Sequence, residues 1–427
     1  MDSQTPQHYT RNMIGLVTDY VAFTIAVSFV DQSTVVPSFV SHLTTSAPLI
    51  GLVSTLQSGG WLLPQLFAAN YVGHRPRKKP YIIWPSLVGR PMMLVLALAA
   101  LFLAEKMPTA TLLVFYLGYA LLWVCDGLAS VPWFDVLAKV FPGRRRGRYL
   151  AMSQVLGGLL AVGAGALVQR VLDPQAGMAF PKSYALLFGL AGAFFTVSIL
   201  GVGLIVEPVE SVQAQRSSWR QYTAQLARSL RADRRFALAI VLRLLAGFGG
   251  MGTPFFILYG TGQLGLGAGI VGSCLTAQVI GRIVGGLLLG VWLAKLGHRS
   301  VILGAISLTA MAPALALLLG GPSWFGQETL RLLYPAIFFF IGISANTLMW
   351  SFTNYVLDIA PPEERPTYVG LTNTIGGLLI VAPVLGGALL QATSYPVLFA
   401  AALSVYIVTL LLALRLPPVR ASSTAGP

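Results

Sequence analysis

The chain has 427 residues, of which 56% are hydrophobic and only 10% charged, with a mean hydropathy of +0.75. A soluble domain carries about 25% charged residues, so a water-exposed globular surface is excluded. The net charge of +14 is not a nucleic-acid footprint, because the basic residues fall in the loops between apolar runs and mainly on one side.

Twelve apolar segments are long enough to cross a bilayer as helices. They are predicted at residues 14–40, 47–72, 81–104, 110–141, 149–171 and 183–206, then 237–262, 268–294, 300–319, 331–358, 366–391 and 395–416. Met1 to Arg11 is polar and the first apolar run is of full spanning length, so no cleavable signal peptide is expected.

The first span carries Asp31 mid-span, on a helical stripe with Tyr20, Thr24, Ser28 and Thr34. The second offers Gln57, Trp61 and Gln65 at spacing four. The fourth carries Asp126 with Trp123, Ser130 and Trp133. Asp135 and Lys139 are four apart on the same helix and are expected to pair. The eighth span holds Arg282 near its middle, and the tenth holds Asn346, Trp350 and Asn354. An ionisable group at membrane depth costs roughly 2.5–3.5 kcal/mol on insertion scales, which makes each a functional candidate. Polar and aromatic stripes on apolar helices point toward a water-filled cavity. Asp19, Arg90 and Arg243 are placed nearer one face, where long side chains snorkel to water. That leaves Arg282 as the basic residue at the depth of Asp31 and Asp126.

Between the sixth and seventh spans, residues 208–235 form a basic linker. Trp219, Tyr222, Leu226 and Leu230 recur at helical spacing, with Arg220, Arg228, Arg231 and Arg235 carrying charge. The pattern fits an amphipathic helix on a membrane surface, or else a solvated tether. Of the 28 Lys and Arg, 21 lie on the side of this linker and four on the other (Lys106, Arg170, Lys182, Arg331). The positive-inside rule then places both termini in the cytoplasm. Cys125 and Cys274 fall within spans, and His8, His42, His74 and His298 in termini or loops, so neither a disulfide framework nor a metal site is expected.

A stretch of the first half recurs in the second. PGRRRGRYLAMSQVLGGLL at 142–160 aligns without a gap on PPEERPTYVGLTNTIGGLL at 361–379. The alignment pairs Pro142 with Pro361, Arg146 with Arg365, Tyr149 with Tyr368, and Gly157 and Gly158 with Gly376 and Gly377. Gly73, His74 and Arg75 recur as Gly297, His298 and Arg299. Two matches in the same order imply homologous halves. The fold class is therefore an all-α membrane protein with twelve transmembrane helices in two pseudo-symmetric six-helix bundles. The expected layout is 1–207 for the first bundle, 208–235 for the linker, 236–416 for the second bundle and 417–427 for a tail.

Six helices, a basic linker and six homologous helices resemble the major facilitator superfamily over essentially the whole chain. Its loop signature between the second and third helix of each half runs G-x-x-x-D-R-x-G-R-R. In the second half Gly290, Lys295, Gly297, His298 and Arg299 fit, with Ala294 in place of the acid. In the first half Asn70, Gly73, His74 and Arg75 fit, while Leu66 and Tyr71 depart. The resemblance implies gating roles for Asn70, Gly73, Arg75, Lys295, Gly297 and Arg299, joined by Asp135, Arg146 and Arg365. It also implies that helices 1, 4, 7 and 10 line a central cavity. The family's antiporter signature, G-P-x-x-G-G in the fifth helix, is not matched: that helix has Gly157, Gly158, Gly163 and Gly165 without a proline.

No phosphate-binding glycine loop, His–carboxylate constellation at membrane depth or metal-ligand spacing is present in the sequence, so neither an enzyme nor a cofactor is expected. The reading is a secondary transporter in the cytoplasmic membrane, working as a monomer by alternating access and coupled to protons, with sodium as the other coupling ion. Asp31, Gln57, Trp61, Trp123, Asp126, Arg282, Asn346 and Trp350 are the residues expected to meet solute or coupling ion. A neutral polar solute such as a sugar leads. The alternatives are efflux of lipophilic cations and, from another class, a non-transporting membrane sensor.

Overall fold

The computed structural model describes residues 8–72, 75–141, 143–209, 233–321, 325–361, 368, 371–372 and 375–417. Among them no strand occurs, and ten helices are long and apolar enough to span a membrane. The helix Ala47–Val72 and the shorter apolar helix Gly377–Ala392 occupy the other two expected places. Backbone polar groups in a bilayer must be satisfied within the chain, and the helix does this locally. The outer faces remain apolar, with Phe67, Trp84, Leu98 and Phe102 all exposed.

Two compact units are present. The first comprises Met1–Thr45, Val53–Arg216 and Gly267–Thr276; the second comprises Ser46–Leu52, Ser217–Leu266 and Ala277–Pro427. In the first unit α1 (Tyr9–Phe29) is followed by α2 (Val35–Ser41), α3 (Ala47–Val72), α4 (Pro80–Gly89) and α5 (Met92–Leu103). Then come α6 (Pro108–Val140), α7 (Gly143–Leu172) and α8 (Lys182–Leu204). Helix α1 packs on α7 and α8, and α6 packs on α4 and α5.

Two expected spans are broken, each for a local reason. The first divides at Val30 because Asp31 Oδ1 accepts hydrogen bonds from the Ser33 amide (2.9 Å), Ser33 Oγ (2.6 Å) and Thr34 Oγ1 (3.1 Å). Short polar side chains of this kind compete with the helix for its own backbone. The third span divides at Arg90, where Pro91 has no amide proton and cannot continue the ladder.

In the second unit α9 (Arg234–Gly249) leads through a 3-10 turn into α10 (Thr253–Leu258), which ends in a π turn. Element α11 (Ile270–Leu319) is two spans joined at Gly297, whose φ of 73° lies in the left-handed region that favours glycine. After it come α12 (Gln327–Leu333), α13 (Pro335–Ile359), α14 (Ala382–Ala392) and α15 (Tyr395–Ala413).

The tyrosine shared by the repeated stretches does comparable work in each unit. Tyr149 Oη donates to the Leu16 carbonyl of α1 (2.9 Å), and its ring stacks on Phe141. Tyr368 packs on Phe236 of α9, with ring centroids 4.4 Å apart. Each ties the repeated stretch to the opening helix of its own unit.

The basic loop before α4 is fastened to the end of α8. Glu207 accepts from the amides of Lys78 (2.7 Å) and Lys79 (2.8 Å) and from Lys139 Nζ (2.9 Å). Lys79 Nζ donates to the carbonyls of Gly203 and Ile205, and Arg11 Nε to that of Leu204. These cations satisfy the carbonyls that a helix leaves free at its C-terminal end. Burial, reinforced by Arg11, lowers the pKa of Lys79 from the usual lysine value, and Glu207 acts the other way. Asp135 and Lys139 do not pair as expected. Lys139 turns to Glu207, and Asp135 lies 3.7 Å from Lys78 Nζ. A buried carboxylate that already gathers two amides is a better partner for Lys139 than the exposed Asp135 on its own helix.

Glu207→Ala would leave Lys139 buried without its carboxylate. It is expected to lower the unfolding free energy by about 3 kcal/mol. Glu207→Gln keeps an acceptor for the loop amides and should cost about half of that. Denaturant unfolding of the purified variants checks both, and wild-type stability in the Gln variant would mean that the charge contributes nothing.

Candidate functional site

The first unit buries three ionisable side chains against one another. Helix α1 presents Asp19, the break between α4 and α5 presents Arg90, and α6 presents Asp126. Arg90 Nη1 lies 3.4 Å from Asp19 Oδ1, and Arg90 Nη2 lies 3.6 Å from Asp126 Oδ1. Helix α8 adds Ser198, which accepts from Arg90 Nη1 (2.8 Å) and donates to Asp19 Oδ1 (2.5 Å). From α6, Trp133 Nε1 donates to Asp19 Oδ2 at 2.7 Å. The Arg90 guanidinium also lies over the Phe23 ring, 5.2 Å from its centroid.

The two carboxylates differ in how well they are held. Asp19 is met by a guanidinium, a hydroxyl and an indole N–H, whereas among the described residues Asp126 is met by Arg90. Charge-assisted hydrogen bonds are the strong ones, and Asp19 is the better supplied. One guanidinium thus faces two acids, Asp19 and Asp126, on different helices.

A cavity of about 230 Å³ opens on this cluster. Its wall includes Asp19, Arg90, Asp126 and Ser130, with the rings of Tyr20, Phe23, Trp61, Trp133 and Phe134. Close helix contact seats the wall. A Cβ on Gly127 would lie 2.6 Å from the carbonyl oxygens of both Gly60 and Trp61, so α6 and α3 approach as only glycine permits. Trp61 and Asp126, on these two helices, thereby face one space.

Sequence-expected residues are distributed as follows. Asp126 and Trp61 line the cavity. Asp31 lies at the α1–α2 break and bonds to Ser33 and Thr34. Its stripe partners Thr24 and Ser28 donate to carbonyls of their own helix. Gln57 Oε1 accepts from Tyr119 Oη (2.5 Å), and Trp123 packs edge-on to Tyr119. In the second unit Arg282 is half-buried on α11, where the amide of Arg282 would lie 3.0 Å from a Cβ on Gly342. Trp350 is half-exposed on α13.

Of the gating candidates, Arg75 lies over the Tyr71 ring and donates to its hydroxyl, and Arg146 is exposed. Arg299 Nη2 donates to the Leu414 carbonyl at the end of α15 (2.7 Å). Gly73, His74, Arg365, the 210–232 part of the linker, and the side chains of Asn70, Lys295 and Asn346 lie outside the described residues.

Arg90 corrects the depth assigned from sequence. It is 5% exposed and held by acids, so it does not snorkel, and Arg282 is not the sole cation available to Asp126. The available signal was its position within the 81–104 span, ten residues from the start and followed by a proline. Asp19 carried the same mark as an ionisable residue within a span, whereas Ser198 carried none.

The sequence profile of the Major Facilitator Superfamily matches residues 21–380 and 244–427. The chain belongs to this superfamily. Membership makes it a multi-pass membrane protein. The fold is similar to that of a variant of the nucleoside transporter NupG, with a TM-score of 0.71 at 15% identity over 96% of this chain and 99% of that one. It is also similar to a D-xylose–proton symporter (TM-score 0.69, 13% identity, 95% and 98% covered). A bacterial homologue of the iron transporter ferroportin gives a TM-score of 0.70 at 11% identity, over 96% and 99%. Among curated sequences, an uncharacterized protein of Mycobacterium tuberculosis is 25% identical over 293 residues, 66% of this chain. The match covers 54% of that relative, so the chain spans about half its length.

Removing Arg90 leaves two buried acids without their cation. Arg90→Gln is expected to destabilise the protein by about 3–5 kcal/mol. Asp19→Asn should cost more than Asp126→Asn, because it disrupts three contacts rather than one. Thermal unfolding in detergent checks the order, and a more damaging Asp126→Asn would overturn the distinction between the two acids.

Proposed function

We propose that this protein is a proton-coupled secondary transporter in which Asp126 is the proton site and Arg90 its switchable partner. The observation that carries this is the unequal support of the two acids around one guanidinium. When Asp126 is ionised it competes with Asp19 for Arg90. When it is protonated, Arg90 is left to Asp19 and Ser198. Each protonation state therefore favours a different arrangement of a side chain that joins α1, α6 and α8. Equilibria between two states are shifted only by such differential interactions.

The cargo best suited to the cavity is a small neutral polar solute such as a sugar or nucleoside. Aromatic faces suit the flat apolar side of a ring, while Ser130 and the Asp126 carboxylate offer hydrogen bonds. Two relatives in fold carry molecules of this type, the nucleoside transporter NupG and the D-xylose–proton symporter. A second reading, export of lipophilic cations, draws on the same carboxylate and on the cation–ring contact between Arg90 and Phe23.

We further place both termini and the 208–235 linker in the cytoplasm, with bundles at 1–207 and 236–416. On this reading the protein is a monomer in the cytoplasmic membrane, and Arg75, Arg146, Arg299 and Arg365 serve at its inner gate. The weight of basic residues on that side supports this orientation.

Reconstitution into liposomes tests the coupling. With a panel of sugars, nucleosides and cationic dyes, the wild type is expected to accumulate one class when a pH gradient is imposed. Asp126→Asn should still exchange labelled solute across the membrane while losing gradient-driven accumulation. Wild-type accumulation by this variant would remove Asp126 from the coupling. Cysteines introduced at 172–182 are expected to react with an impermeant reagent from outside intact cells, and those at 215–230 to be protected. The reverse pattern would invert the orientation.

A further inference from the structure

We propose that the first unit holds a second binding site, at the end remote from its basic loops, for a small uncharged aromatic molecule with one hydrogen-bonding edge. A cavity of about 320 Å³ lies there, shaped by His42, Phe180, Ser183, Tyr184, Met178 and neighbouring apolar residues. That volume falls within the size of small-molecule pockets, roughly 300–1,000 Å³. None of its lining residues is shared with the cavity at Asp126.

Polar side chains also line this space. Ser183 is 2% exposed, and its hydroxyl has no hydrogen-bond partner among the described residues. His42 is exposed at the mouth of the cavity, where its ring meets Phe180 and Tyr184. A hydroxyl and an imidazole that both line one cavity offer a place for a ligand's polar edge.

The walls define the rest of the ligand. His42 stacks on Phe180 with centroids 4.5 Å apart and an interplanar angle of 23°, and it meets Tyr184 edge-on at 5.6 Å. Tyr184 is fixed by a 2.7 Å hydrogen bond between its hydroxyl and Ser38 Oγ. Flat, held rings of this kind favour an aromatic guest, which gains offset or edge contacts beyond plain burial. Charge is selected against. Partial burial lowers the pKa of His42 from its usual value, so the imidazole is neutral near pH 7. Among the described residues no carboxylate, lysine or arginine lines the cavity. The nearby Asp173 is engaged in capping the Gln175 amide, and Lys182 is exposed. An ion entering here would lose hydration without gaining a counter-charge.

The test uses purified full-length protein in detergent and para-fluorophenol followed by fluorine NMR. Saturable binding is expected for para-fluorophenol, weaker binding for fluorobenzene, and none for para-fluorobenzoate or para-fluorobenzylammonium. Ser183→Ala and His42→Phe should each weaken para-fluorophenol binding about tenfold, the cost of one lost hydrogen bond. The His42→Phe variant keeps the stacked ring, so it reports on the hydrogen bond even if Ser183→Ala proves unstable. Asp126→Asn should bind the probe as the wild type does, whatever becomes of its transport. Non-saturable uptake identical to that of empty micelles would overturn the proposal. So would wild-type affinity in both variants, or a loss that appears in Asp126→Asn instead.

Discussion

A guanidinium taken out of water must meet negative charge, and in this chain that demand falls on Arg90. Isolated, its burial in the middle of a helical bundle would cost several kcal/mol. Asp19, Asp126 and Ser198 reach it from three different helices, so satisfying one side chain fixes the mutual placement of α1, α6 and α8. Trp133 then locks the far oxygen of Asp19. The aromatic cavity is a consequence, since the rings of Tyr20, Phe23 and Trp133 surround the cluster and limit its access to water.

Local chemistry decides where the spans break, and the breaks decide what each polar residue can do. Asp31 and Arg90 both sit at interruptions of an expected span, with opposite outcomes. Asp31 is followed by Ser33 and Thr34, whose hydroxyls and amide satisfy it within a few residues. Arg90 is followed by a proline and apolar residues, offers only donors, and must seek acceptors on other helices. A short acceptor among hydroxyls closes a local turn; a long donor among hydrocarbons organises a tertiary site.

That contrast also explains how much was legible in the sequence. Hydropathy and the 142–160 and 361–379 echo carried the helical class, the paired halves and the family, because bilayer thickness and duplication leave period and length signals. Asp126 and Trp61 were legible as members of polar stripes. The stripe of Thr24 and Ser28 misled, because a hydroxyl in a helix can bond to the carbonyl four residues back and need not face a cavity. Arg90 was visible but assigned the wrong depth, since a linear sequence shows distance from a span's end and not the acids waiting on α1 and α6. Ser198 was not legible at all. Its role exists only through the distance between α8 and Arg90, which no local pattern encodes.

Duplication preserves a physical task more faithfully than the residue that performs it. In the second unit Arg299, from the loop within α11, donates to the Leu414 carbonyl at the end of that unit's last helix. In the first unit the corresponding carbonyls at the end of α8 are met by Lys79, four residues beyond the aligned Arg75. Arg75 instead turns to Tyr71. The requirement common to both is a cation at the negative end of the sixth helix, which the helix dipole and its free carbonyls impose wherever a basic loop passes. Any lysine or arginine in the loop that reaches those carbonyls meets this requirement. The first unit then adds Glu207 beneath the same loop, gathering two amides and Lys139. The second unit has a different device near its loop, with His298 Nδ1 placed 2.9 Å from Asp358 Oδ2. The two loops are thus alike in what they fasten and unlike in the side chains beside them, a lysine on a carboxylate in one unit and an imidazole close to a carboxylate in the other.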